Sequence, residues 1–172
     1  GLVKLNYLSP FSYYLENKLV RKENFLFMGS WTYYPACSAH SKWNAKVEIY
    51  TTDDAANNRT YVEVTIYDRK TDGYDSGLNS NSFACYITID GSTSYGNDYR
   101  YVSKDGYIQR HYYGKYVNHN SDGSKTISIT GCMYNYASSG FSLAGDDITG
   151  TYSITLTKYS RGYSWVNLGQ TS

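Results

Sequence analysis

Glu48 and Glu63 are the residues of this chain whose type and spacing come closest to catalytic chemistry. Residues 45–51 set Ala45, Val47 and Ile49 against Lys46, Glu48 and Tyr50, and residues 61–67 set Val62, Val64 and Ile66 against Tyr61, Glu63, Thr65 and Tyr67. Such period-two alternation marks half-buried strands. If the two strands pair antiparallel, the carboxylates share one outer face at neighbouring positions. Two carboxyls about 5 to 9 Å apart are the equipment of glycoside hydrolysis. A solvated sheet face with Lys46 alongside is the plainer reading, so the chain is read as a non-enzyme with no catalytic residue assigned.

Other chemistry finds less material. His40, His111 and His119 lack the spacing of a zinc site, and no Cys-x-x-Cys occurs among Cys37, Cys85 and Cys132. His40 near Cys37 has no orienting acid. His119 is read as a structural group that holds loop backbone. The pairs Asp53-Asp54 and Asp146-Asp147 offer oxygen donors for a calcium ion but match no cation-loop pattern, and they read as turn formers. No metal and no cofactor is assigned.

Binding chemistry is better supplied. The chain has 22 tyrosines against five phenylalanines. A tyrosine ring packs on a pleated surface while its hydroxyl stays wet, which suits a β scaffold and a recognition surface alike. Sugar recognition needs aromatic faces with polar groups at their edges. Trp31-Thr32-Tyr33-Tyr34, His111-Tyr112-Tyr113 and Met133-Tyr134-Asn135-Tyr136 place aromatics on both faces of strands. Trp31, Tyr112 and Tyr136 are the candidate ligand-binding residues, while Trp43 and Trp165 read as core.

The elements that position these groups read as strands. Beyond 45–51 and 61–67 they run at 83–89, 99–102, 107–117, 127–136 and 151–157, with a further run at 163–168. Asp72-Gly73, Asp90-Gly91, Asp105-Gly106 and Asp122-Gly123 supply hairpin turns between them. Residues 92–98 read as a polar loop. Seven to nine short strands without an internal helix indicate an all-β antiparallel β-sandwich, jelly-roll or immunoglobulin-like, with a closed barrel as the competitor. Cys85, on the face of Phe83, Ile87 and Ile89, reads as a small apolar filler. Residues 1–28 form a separate arm or partner-packing segment: 12–20 has the pattern of a short capped helix or an extended arm, and 25–28 that of a buried strand or a segment packed on a neighbour. Residues 29–172 form the sandwich domain.

At 172 residues the chain suits one domain that buries about 70% of its unfolded surface. A net charge of +1 leaves no basic footprint for nucleic acid. No apolar run is long enough for a bilayer helix, and the start at Gly1 carries no signal pattern. Three widely spaced cysteines fit synthesis in the cytoplasm.

Residues 117–129, Val-Asn-His-Asn-Ser-Asp-Gly-Ser-Lys-Thr-Ile-Ser-Ile, combine a strand end, an Asp-Gly turn and a new alternating strand. With the Gly-rich stretch leading into residues 148–161, Ile-Thr-Gly-Thr-Tyr-Ser-Ile-Thr-Leu-Thr-Lys-Tyr-Ser-Arg, this motif resembles a siphovirus tail protein family of minor structural and tail-tip proteins. The family pattern carries Val-x-His-Asn-x-Asp-Gly-Ser/Thr-Lys-Thr-Ile and a closing Ile-Pro-Arg, where this chain has Tyr159-Ser160-Arg161. The resemblance spans about residues 29 to 161 and marks a divergent member. It implies a virion tail or baseplate structural protein that binds host cell-surface carbohydrate and assembles with other tail proteins or with copies of itself. A stand-alone carbohydrate-binding module and a cell-wall glycoside hydrolase are the alternatives.

Overall fold

A computed structural model describes residues 28–77, 82–137 and 143–160, and the backbone of 14–15 and 18–19. Eight strands make up the body: β1 (Met28–Tyr33), β2 (Trp43–Asp54), β3 (Arg59–Lys70), β4 (Phe83–Ile89), β5 (Ser92–Tyr95), β6 (Ile108–Asn118), β7 (Thr126–Asn135) and β8 (Asp147–Thr155). They form two four-stranded antiparallel sheets, in the order β6-β3-β2-β1 and β8-β7-β4-β5. The fold is an all-β sandwich of two open sheets, which removes the closed barrel.

Strand order also chooses between the two sandwich types. Leaving β1 aside, strands β2 to β8 place their first, second and fifth members in one sheet and the remaining four in the other. This is an immunoglobulin-like arrangement with Greek-key crossings, to which β1 adds an outer edge strand.

The central hairpin shows how sequence makes this scaffold. Strands β2 and β3 pair without a slip from Trp43 with Lys70 to Asp54 with Arg59, and β3 alternates strictly between buried and half-buried positions. A single turn of 3-10 helix at Ala55–Asn57 and left-handed Asn58 (φ 52°) close it. The inward set, Trp43, Ala45, Val47, Ile49, Val62, Val64 and Ile66, meets Phe83, Ile87, Ile89, Ile127, Ile129 and Met133 of the second sheet. Each fully buried Val, Ile or Phe contributes about 1.5–3 kcal/mol. The sheets approach closely at Gly131, where a Cβ would lie 3.0 Å from Ile66 Cγ2.

Cys37, Cys85 and Cys132 are free and buried. Burial pushes the Cys85 thiol up to about 12, so it stays protonated and inert.

The Asp-Gly steps turn as expected: Gly73, Gly91, Gly106 and Gly123 all have positive φ. Asp90 and Gly91 (φ 46° and 80°) form a two-residue primed turn, which folds Ser92–Tyr95 back onto β4 as β5. This corrects the polar loop expected at 92–98: Ser92 and Ser94 face inward although they are polar. The strand expected at 99–102 shrinks to Tyr101–Val102, which pairs with Ser76–Gly77, while Tyr99 bridges Phe83. Strand β8 begins at Asp147, four residues before the alternation of 151–157 is legible.

Tyr14–Leu15 pairs antiparallel with Lys18–Leu19, so of the two readings of 12–20, a capped helix or an extended arm, these four residues take the extended form. Met28 opens β1 with 74% of its surface exposed, so of the two readings of 25–28, a buried strand or a segment packed on a neighbour, the buried strand does not hold at this residue. The remainder of that run, the strand expected at 163–168 and Trp165 lie outside the described residues.

Candidate functional site

Among the described residues, tyrosines gather on the outer face of the first sheet. Alternation turns Lys46, Glu48 and Tyr50 of β2 outward, together with Tyr61, Glu63 and Tyr67 of β3. Tyr112, Gly114 and Tyr116 of β6 join them across the ladder, where Tyr112 pairs Thr65, Gly114 pairs Glu63 and Tyr116 pairs Tyr61. Tyr34 and Tyr107 meet at one end with ring centroids 6.3 Å apart. Tyr34, Tyr50, Tyr112 and Tyr116 are exposed.

The charges on this face are held in place by the rings. Lys46 Nζ bonds Glu48 at 2.8 Å and sits 4.1 Å over the Tyr67 ring. Arg59 bonds Asp54 at 2.7 Å and lies 3.8 Å over Tyr116, while Arg69 lies 4.4 Å over Tyr107. Each cation lies on a ring face, and Lys46 and Arg59 also reach a carboxylate, whereas the buried Nε of Arg69 makes no hydrogen bond. The Lys46 hydrogen bond holds the Glu48 carboxyl below its ordinary range, against the opposing effect of burial, and Tyr67 adds a second bond.

Gly114 is the point of closest packing in the platform. The phenols of Tyr61 and Tyr112 close over it, and a Cβ there would lie 2.7 Å from the Tyr112 hydroxyl. Tyr112 donates to Glu63 at 2.7 Å. Hydrogen bonds to Tyr61 and Glu63 push the Tyr112 phenol up, so it remains a donor across the physiological range.

Glu48 and Glu63 are therefore diagonal neighbours on one outer face, as the alternation implied. The environment of Glu48 is not that of a general acid. Glu48 is tied to Lys46 and held ionised, whereas a general acid needs a carboxyl raised toward neutrality.

The three aromatic candidates are not brought together. Tyr112 lies on the platform. Trp31 faces inward opposite Ile49, folds its indole over Gly29 and packs against the core, which corrects its expected exposure. Tyr136 follows β7 on the second sheet and donates to Asp98 at 2.9 Å. It borders a smaller outer cluster with Tyr134, Tyr86 and Tyr95, with successive centroids 5.9 to 6.5 Å apart. Tyr50, Tyr61, Tyr67, Tyr107 and Tyr116 were missed as site residues. The signal was present in the outward set of each strand, but only pairing reveals that the sets join.

The remaining candidates go to structural tasks. His119 is buried: Nδ1 donates to the Gly123 carbonyl at 2.8 Å, and Nε2 lies 2.8 Å from Thr60 Oγ1. His40 meets Asp146 at 3.1 Å, and His111 bonds Ser94 at 3.0 Å across the sandwich. Asp53 turns inward beside Thr60 while Asp54 turns outward to Arg59, so adjacent residues on a strand diverge. Asp147 accepts from Thr149 at 2.6 Å. Among the described residues, no group of three or more His, Cys, Asp or Glu gathers as a metal site.

One buried ion pair escaped the alternation. Asp68, fully buried, accepts from Arg110 Nε at 2.6 Å, from Tyr99 at 2.8 Å and from Trp43 Nε1 at 3.1 Å. A bulge between Gln109 and His111 leaves Arg110 out of the ladder, which lets it reach inward. Burial pushes the Asp68 carboxyl up, and the Arg110 charge with its three donors opposes that push.

No helix among the described residues is long and apolar enough to cross a membrane. Compared with protein-family models, with curated proteins and with solved structures, this chain matches none of them.

Proposed function

We propose that this chain is an adhesive β-sandwich of a phage tail or tail tip, which holds host cell-surface polysaccharide without turning it over. The supporting observation is the tyrosine cover of the first sheet's outer face, where exposed Tyr34, Tyr50, Tyr112 and Tyr116 surround Glu63 and Lys46. Tyrosines supply a large contact area at low conformational cost, and their faces accept the apolar face of a sugar ring. The tail assignment rests on the motif of residues 117–129 and the closing segment 148–161.

In this reading each copy makes weak stacking and hydrogen-bond contacts. Repetition around a tail axis, among copies of the chain or beside other tail proteins, multiplies them through effective concentration. The protein works in the virion after synthesis in the host cytoplasm, and engages neither nucleic acid nor the membrane interior.

Staining of Gram-positive cells and purified walls with labelled protein tests the proposal. Wall binding that disappears in Tyr112→Ala with Tyr116→Ala, together with a stable oligomer in light scattering, is the expected result. Absence of wall binding leaves a purely architectural role. A compact monomer whose Trp fluorescence responds to sugar points to a stand-alone carbohydrate-binding module, and release of reducing sugar from walls points to a hydrolase.

A further inference from the structure

We infer that the polymer held by the tyrosine platform is an uncharged glycan, bound in extended form along β6. The inference rests on the adhesive reading above and names the ligand class of the same surface.

The charge arrangement supports it. The platform carries Lys46, Arg59 and Arg69 against Glu48, Asp54 and Glu63, so the face is balanced. Two of the three cations are committed to carboxylates: Lys46 is bonded to Glu48 and covered by Tyr67, and Arg59 is bonded to Asp54 and covered by Tyr116, while Arg69 lies on Tyr107 with its Nε buried and without a hydrogen bond. An anionic polymer such as a phosphodiester chain would have to strip Lys46 and Arg59 from their carboxylates and would gain no net attraction from the balanced face. Of the three carboxylates on this face, a cationic polymer finds one outside an ion pair, Glu63, and that group already accepts from Tyr112.

What the face does offer suits neutral sugar rings. Tyr112 and Tyr116 lie on the same side of one strand, about 13 Å apart along it. That is more than one sugar ring, so the two tyrosines contact different units of one chain. Between them the Tyr61 and Tyr112 hydroxyls lie over Gly114, in the space that a side chain there would fill, and their oxygens can accept hydrogen bonds from sugar hydroxyls. The carboxylate of Glu63 beside them has lone pairs beyond the one used by Tyr112.

The full chain is titrated by biolayer interferometry against immobilised neutral polymers (dextran, galactomannan, a rhamnan and chitohexaose) and anionic ones (dextran sulfate and polyglycerol phosphate), at low salt and at high salt. At least one neutral polymer binds, with affinity changing less than about twofold between the salts because no counterions are released. Tyr112→Ala and Tyr116→Ala each weaken it about tenfold or more, whereas Tyr95→Ala, exposed on the outer face of the second sheet, leaves it unchanged. Unfolding midpoints near the parent's identify the loss as one of contact. Salt-sensitive preference for the anionic polymers overturns the inference while leaving polysaccharide adhesion intact. Binding to neither class overturns both.

Discussion

His119 and Tyr159 stack face to face, with ring centroids 4.2 Å apart and planes 20° from parallel. The contact joins the turn after β6 to the chain that follows β8. Tyr159 also reaches Thr60 at 2.6 Å and donates to the Arg59 carbonyl at 3.0 Å. One buried group thus ties three distant parts of the sequence at the same end of the sandwich.

Replacing His119 with Ala removes the stack and one hydrogen bond each from the Thr60 hydroxyl and the Gly123 carbonyl, both of which keep Tyr159 as a partner. Each hydrogen bond lost contributes about 0.5–1.5 kcal/mol, so urea unfolding is expected to show a loss of about 1–3 kcal/mol. A change below about 0.5 kcal/mol would mean that the cluster contributes little to stability.

Gly123 is a separate test of the same corner. Its φ of 81° disfavours any side chain, and a Cβ there runs into the Tyr159 carbonyl oxygen. Gly123→Ala is expected to cost about 2 kcal/mol or more by urea unfolding, because strain and collision add. Gly73→Ala, at φ 84° but with open space around it, should cost only about 1 kcal/mol.

The buried pair of Asp68 and Arg110 predicts non-additivity. Asp68→Ala leaves a guanidinium uncompensated in the interior and is expected to cost about 3–5 kcal/mol. Adding Arg110→Met should restore part of that loss, and denaturant unfolding of the double-mutant cycle measures it. Simple addition of the two costs would show the groups to be independent.

Glu48 titrates below its reference value of 4.5 because Lys46 bonds its ionised form. Since the folded value is the lower one, the stabilisation is complete above about 4.5 and is lost as pH falls through the folded value. NMR titration of the side-chain carboxyl should place Glu48 below 4.5, and Lys46→Met should move it upward. An unmoved Glu48 would remove Lys46 as the cause.

Tyr112→Ala and Tyr116→Ala are expected to reduce wall binding about tenfold while costing less than about 1 kcal/mol in stability, since both rings are exposed. Parallel sedimentation with walls and thermal unfolding reads both quantities. Equal loss of fold and binding would assign these tyrosines to the scaffold.

Much of the scaffold was legible in the sequence because it depends on local rules. Strict alternation in β2 and β3 fixed two strands and the face each residue takes, and the Asp-Gly steps fixed turns through the φ that glycine tolerates. The outward positions of Tyr50, Tyr61 and Tyr67 followed from the same period. Ser92 and Ser94 defeated it, since their inward hydroxyls are satisfied by Lys115 and His111 from the facing sheet. Trp31 defeated it differently: its neighbours alternate weakly, and its inward direction follows from pairing with β2.

The sequence by itself therefore determined an all-β chain, its hairpins and the two-sided character of its strands. Tertiary structure alone decided that β6 lies beside β3, which assembles the tyrosines of three strands into one platform around Gly114. It also decided that a bulge would bring Arg110 to Asp68, and that Tyr159 would close over His119. Each depends on contacts between residues about 40 to 55 positions apart, and no period along the chain encodes such pairings.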